Sequence, residues 1–237
     1  MNPIKYNHTE KMHNPTAAME ILPRVFSLLN TRSVLDVGCA NGSWLKASQN
    51  MGVKNVFGVD GIELNVEDML IDEIDFLKHD LTQPLKLNRK FDLVISLEVA
   101  EHLPENAAET FVDNLVAHGD VVLFSAAIPG QGGQYHINEQ WPEYWHSRFK
   151  ERGFLGYDIL RADLWNNENV FWWYRQNILL FAKEGTPLFS NMKANNTINA
   201  LVHPQLYNKK VFKPKFQNSR RDVTKELFSG LKCLFLK

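Results

Sequence analysis

The run Ser33-Val-Leu-Asp-Val37, followed at once by Gly38-Cys-Ala-Asn-Gly42, constrains the fold of this chain more than any other segment. A β-branched run that stops at small residues reads as a buried strand entering a tight turn, and residues 44–51 after it can form a helix. The pattern recurs. Further strand candidates span residues 55–59, 91–97, 120–126, 154–160 and 177–183, while apolar residues at helical spacing cover 16–29 and 107–118. Strands alternating with helices make βαβ units, hence a largely parallel sheet covered on both faces. With 237 residues, 44% of them hydrophobic, the chain has material for a core without a disulfide or structural metal. Cys39 and Cys233 are its two cysteines, which fits a reducing, cytoplasmic setting. No apolar run approaches the roughly 20 residues of a membrane span, and residues 1–14 lack the apolar stretch of a signal peptide or anchor.

Small residues in a strand-to-helix turn let backbone N–H groups approach a ligand, and the helix terminus beyond favours negative charge. The spacing Gly38-x-Ala40-x-Gly42, with Asp36 inside the strand, departs from the G-x-G-x-x-G of dinucleotide binders. The second strand ends in Val59-Asp60-Gly61, where an acid can accept both ribose hydroxyls of an adenosine-containing cofactor. A third acid, Asp80, precedes Leu81 where a third strand would end. One such acid is ordinarily a solvated loop residue. Three at the C-terminal ends of successive strands describe one crevice, the place where open α/β sheets bind ligands.

VLDVGCANG, GVDG, HDL and FDLVISLEVAEHL together resemble, in order and spacing, the class I S-adenosylmethionine-dependent methyltransferases over roughly residues 12–183. The resemblance implies an α/β fold with a Rossmann-like, seven-stranded, mostly parallel sheet and helices on both faces. It also implies an S-adenosylmethionine site. Asp36, Gly38, Ala40 and Gly42 would line the methionine part, Asp60 would hold the ribose, Asp80 with Leu81 would flank the adenine, and Glu98 would border the cofactor. Asn41 and Gly61, in the same turns, complete the cofactor-binding set. Ala40 stands where the family usually has glycine, and its methyl group is tolerated if φ there is negative.

Past the fourth strand lies Glu98-Val-Ala-Glu101-His102. Residues at i, i+3 and i+4 share one side of a helical turn, so two carboxylates and an imidazole can face one point. The segment after the fifth strand is a glycine-rich loop leading to His136. If the two strands are neighbours, as in this family's sheet, both loops leave the same edge and His136 reaches the cluster. Glu98, Glu101, His102 and His136 then make a plausible octahedral site for Mg²⁺, Mn²⁺ or Fe²⁺. The alternative is that E-x-x-E-H is a metal-free fold element, with His102 capping a turn. The cluster resembles that of the small-RNA 2′-O-methyltransferases and the quinone-biosynthesis O-methyltransferases, which are metal-assisted. On both readings His136 is the first choice for a catalytic group touching substrate, as ligand or general base.

Five of the six Trp lie between residues 141 and 173, where they wall a pocket or fill the core, and Arg161 and Arg175 nearby could recognise a phosphate or carboxylate. Polarity sets off an α/β body over 1–184, which the resemblance makes the methyltransferase domain with an N-terminal helical lead-in, from an Asn-rich linker over 185–207 and a basic amphipathic tail over 208–237. The tail holds nine Lys/Arg against two acids, with Val223, Leu227, Leu231 and Leu234 at helical spacing. It suits docking on its own domain, on a second copy in a homodimer, or on a membrane surface or acidic carrier. The other 207 residues hold 17 basic and 25 acidic groups, which argues against a general nucleic-acid binder. The stretch from AAIPGQGG through HINEQWPEYW to WYRQNILLF also resembles a bacterial subgroup found among genes for capsule and O-antigen. That resemblance implies O-methylation of a small-molecule substrate: a sugar, a nucleotide-linked sugar, or a phosphate or phosphoramidate group. An RNA 2′-O-methyltransferase and a non-catalytic scaffold are the other readings. A scaffold would be expected to lose its acids, yet Asp36, Asp60, Asp80, Glu98 and Glu101 are all present.

Overall fold

The computed structural model describes residues 15–62, 66–189 and 191–211, in two units, Met1–His203 and Pro204–Lys237. In the first unit α1 (Thr16–Phe26), β1 (Ser33–Val37), α2 (Ser43–Asn50), β2 (Asn55–Asp60) and β3 (Phe76–Lys78) come first. They are followed by β4 (Leu93–Leu97), α3 (Ala108–His118), β5 (Val121–Ser125), α4 (Pro142–Glu151), β6 (Phe154–Tyr157), α5 (Arg161–Leu164), α6 (Trp172–Asn177) and β7 (Leu179–Lys183). The strands form one seven-stranded sheet in the order β3-β2-β1-β4-β5-β7-β6, parallel except for β7, which runs antiparallel to both neighbours. The order reverses at β1, between β2 and β4, and a crevice at such a reversal is where doubly wound sheets take their ligands.

The two-residue period of the strands explains why both faces are covered. Val34, Leu93, Ile95, Leu123 and Leu180 enter one core with Ile21, Leu22 and Val25 of α1 and Leu45 of α2. Their neighbours Leu35, Val94, Val122, Phe124 and Phe181 enter the other with Phe111 and Leu115 of α3 and Trp145 and Phe149 of α4. Each fully buried side chain of this kind contributes about 1.5–3 kcal/mol of transfer free energy, so the two cores fix the strand register that aims the loops.

Three differences from the sequence reading have physical causes. The strand β3 is a three-residue edge strand, too short to carry an alternating pattern and set by its parallel pairing with β2, Phe76 opposite Gly58. Asn177 ends α6 rather than opening the last strand, because its side chain is drawn into a buried hydrogen-bond network. The polar stretch read as a linker over 185–207 is docked on the first unit as far as residue 203. Asn195 bridges to Gly156 of β6, the Ile198 N–H donates to Glu143, and Arg161 donates to the Asn199 carbonyl. Its asparagines serve as hydrogen-bond partners for strand and helix ends. The second unit opens with α7 (Pro204–Val211), and residues 212–237, which carry most of the basic tail and the proposed homodimer contact, lie outside the described residues.

Candidate active site

The turn after β1 is shaped for close approach. Gly38 and Gly42 hold φ of +86° and +82°, and a Cβ at Gly38 would lie 2.3 Å from Val99 Cγ2, so no side chain fits there. Ala40 has φ +45°, which overturns the condition under which its methyl group was acceptable, and the residue occupies the left-handed region where alanine is strained. What holds it there is visible. Its N–H donates to Asp60 Oδ2 at 2.8 Å, and the Ile62 N–H donates to Asp60 Oδ1 at 3.0 Å, so Asp60 ties the turns after β1 and β2 together.

Asp36 is buried. Burial and then the Asp60 charge push its pKa well above the usual carboxylate range. Asn41 Oδ1 is buried without a partner. A glycine cradle, a buried carboxylate and an orphaned amide oxygen at one turn fit the cationic, hydrogen-bonding methionine end of S-adenosylmethionine. Asp80 and Leu81 lie beyond β3: Leu81 is buried, while Asp80 Oδ1 accepts the Thr82 N–H and hydroxyl, bonds that hold its pKa low. Gly61 is exposed and has ordinary room for a side chain. Tyr174 of α6 packs edge-on against Trp44 with ring centroids 5.4 Å apart, and burial, then the charges of Glu98 and Asp36, raise the pKa of its phenol.

The loops after β4 and β5 meet as neighbouring strands require. One donor atom from each of Glu101, His102 and His136 lies within 4.8 Å of the others, the one group of metal-ligand type found among the described residues. Glu101 is fully buried, and neither carboxylate oxygen has a hydrogen bond of good geometry among the described residues; burial, then the Glu98 charge, raises its pKa well above the usual value, against the weaker opposing pull of the Glu101 and Ala127 backbone N–H groups. His136 Nε2 lies 4.0 Å from Glu101 Oε1. The two imidazoles meet edge to face at 4.8 Å. His102 Nδ1 lies 3.4 Å from the Tyr135 carbonyl, an acceptor, so Nδ1 carries the proton, and burial with the neighbouring His136 lowers the His102 pKa to about 4. The ring is neutral near pH 7.

Glu98, expected beside Glu101 as a ligand, does not join this group. With φ +56° it turns to Gln131 Nε2, which donates to Oε2 at 2.8 Å, and to Asn177 Nδ2, which donates to Oε1 at 3.0 Å. Gln176 completes the network by donating to Gln131 Oε1 and Asn177 Oδ1. Sequence reasoning missed these amides and Glu139, which accepts from His136 Nδ1 at 2.9 Å. The i, i+3 spacing of His136 and Glu139 was the available signal. Trp145 belongs to the core, and Arg161, buried against Asp158, is a structural ion pair rather than a substrate group. Arg175 is buried too, with Nη1 donating to the Trp165 carbonyl.

The sheet order and this crevice define the class I S-adenosylmethionine-dependent methyltransferase fold. A family model described as a methyltransferase domain matches residues 9–168, and the chain belongs to that family. Over 120 residues it is 33% identical to the tRNA U34 carboxymethyltransferase of Vibrio cholerae serotype O1, a match covering 46% of this chain and 36% of that protein. Over 114 residues it is 33% identical to the ubiquinone biosynthesis O-methyltransferase of Rickettsia canadensis, covering 44% of this chain and 47% of that one. The chain thus spans between a third and a half of the length of these curated relatives. Among solved structures, S-adenosylmethionine-bound CalS10, an amino pentose methyltransferase from Micromonospora echinaspora, superposes with a TM-score of 0.57 at 13% identity, covering 77% of this chain and 99% of that one. At that identity the likeness is one of fold. No helix among the described residues is long and apolar enough to cross a membrane.

Proposed function

We propose that this methyltransferase methylates an oxygen of a small polar acceptor, a sugar, nucleotide-linked sugar or phosphate-type decoration of a surface glycan, in the cytoplasm and with a divalent cation at Glu101, His102 and His136. The observation that carries the reading is Glu101, a fully buried carboxylate without a hydrogen bond of good geometry among the described residues, beside two imidazoles. Such a group is costly unless a proton or a cation compensates it. Octahedral ligands sit about 3–4 Å apart around an ion with bonds near 2.1 Å, so a small inward movement of donors now within 4.8 Å of one another suffices. Tyr135, Ile137 and Trp141, exposed on the same loop as His136, offer apolar faces to a sugar ring.

S-adenosylmethionine, when bound, supplies an electrophilic methyl group on a sulfonium, and its transfer is an in-line displacement. Asp36, Asn41 and the glycine turn bind the methionine end, Asp60 the ribose, and Leu81 one face of the adenine. Glu98, fixed by Gln131 and Asn177, borders the cofactor as a carboxylate rather than as a metal ligand. A divalent ion would lower the pKa of an acceptor hydroxyl, and His136 Nε2 supplies either a ligand or the site that takes the proton. A second reading, an RNA acceptor, is favoured by the 33% identity to a tRNA-modifying enzyme. The acidic balance of residues 1–207 counts against it.

The test is release of S-adenosylhomocysteine from wild type and His136→Ala, with Mn²⁺ or with EDTA, against free sugars, nucleotide sugars and short RNA. Turnover of a sugar-class acceptor, stimulated at least about tenfold by Mn²⁺ and lost in His136→Ala, is expected. Equal turnover in EDTA contradicts metal assistance, and salt-sensitive turnover of RNA alone selects the second reading.

A further inference from the structure

We propose that Glu139 is a positioning residue that holds His136 in one tautomer, Nδ1 protonated and Nε2 presented as a lone pair toward Glu101 and His102. The inference rests on the reading of His136 as ligand or base. Glu139 Oε1 receives the Gly132 N–H at 2.5 Å and lies 2.9 Å from His136 Nδ1, while Oε2 receives the Gly130 N–H at 2.7 Å. A carboxylate is acceptor-only, so Nδ1 carries the hydrogen, and in the neutral ring Nε2 is then the lone pair.

The loop is built around that ring. Gly130 and Gly132, at φ +81° and +68°, turn their N–H groups onto Glu139, which side chains there would resist. A Cβ at Gly133 would lie 2.1 Å from His136 Nε2, so glycine leaves the ring its place. On the other side, the Ile137 and Asn138 N–H groups both donate to the Glu101 carbonyl, at 2.9 and 3.0 Å, fixing the distance between the loop and the Glu101 turn. The result is a carboxylate–imidazole pair aimed at a buried carboxylate, the arrangement that sets tautomer and ring angle in metal sites and catalytic dyads alike.

A loop staple alone would leave the tautomer indifferent to the charge at position 139, and this separates the two roles. The measurement is ¹⁵N imidazole NMR of the full-length protein, with the His136 resonances assigned by loss in His136→Gln, on wild type, Glu139→Gln and Glu139→Asp, together with Mn²⁺ titration of each. Wild type and Glu139→Asp are expected to show the Nδ1–H tautomer. Glu139→Gln, whose carboxamide can donate to Nδ1, is expected to shift His136 toward Nε2–H and to weaken Mn²⁺ binding about 10–100-fold, with S-adenosylhomocysteine affinity and circular dichroism unchanged. An Nε2–H tautomer in wild type, or the same tautomer in wild type and Glu139→Gln, overturns the proposal. A tautomer switch in a protein that binds no Mn²⁺ upholds it and removes the metal reading instead, with His136 left as the base.

Discussion

At the scale of single residues, the site is held together by groups in conformations or environments they would not choose. Ala40 at φ +45° is the plainest. The left-handed region costs an L-residue roughly 1–2 kcal/mol, of which the larger unfolded-state entropy of glycine would return about 0.5–1. Ala40→Gly is therefore expected to raise stability by about 0.5–1 kcal/mol in urea denaturation while leaving the Ala40 N–H to Asp60 bond in place. A loss of stability would mean that the methyl group packs favourably enough to outweigh its backbone strain. The sequence showed that Ala40 departs from the family's glycine but not the sign of φ, since the bond that enforces it comes from Asp60, twenty residues away. Asp36 and Glu101 were legible as acids at strand ends. That Asp36 is buried and that neither Glu101 oxygen has a hydrogen bond of good geometry among the described residues follows only from the surroundings the fold gives them.

At the scale of elements, short apolar runs were enough to place β1, β2, β4, β5 and β7 to within a residue or two. The short edge strand β3 and the aromatic helix α6 were not readable, the first because three residues hold no period, the second because its apolar residues look like pocket or core equally well. The network joining the β4 and β5 loops to the end of α6 was hidden for a similar reason. Gln131 is 33 and Asn177 is 79 residues from Glu98, and an amide carries no sequence signal of its partner. Asn177→Leu should expose how much this network contributes, because it removes donors to Glu98 and Gln131 and an acceptor for Gln176 at once. With about 1–3 kcal/mol for each buried group left unsatisfied, a loss of at least about 2 kcal/mol in unfolding free energy is expected. A change within 0.5 kcal/mol, ordinary for a surface substitution, would show that Glu98 does not depend on it.

At the scale of the whole molecule, the sheet reversal at β1 puts the glycine turn and the Glu101, His102 and His136 group at the same edge of the sheet, and in the proposed function cofactor and acceptor chemistry share that edge. That juxtaposition was predicted from the resemblance, which supplied the strand order; the membership of the metal-type group was not, since Glu98 is claimed by amides and Glu139 backs His136. The most direct measurement is calorimetric titration of S-adenosylhomocysteine into metal-stripped protein, repeated with Mn²⁺, for wild type and His136→Ala. The account predicts cofactor heat in both proteins and a separate Mn²⁺ heat in wild type only. Cofactor binding without a Mn²⁺ heat would contradict the metal-assisted mechanism, and no cofactor heat in either protein would contradict the account at its centre.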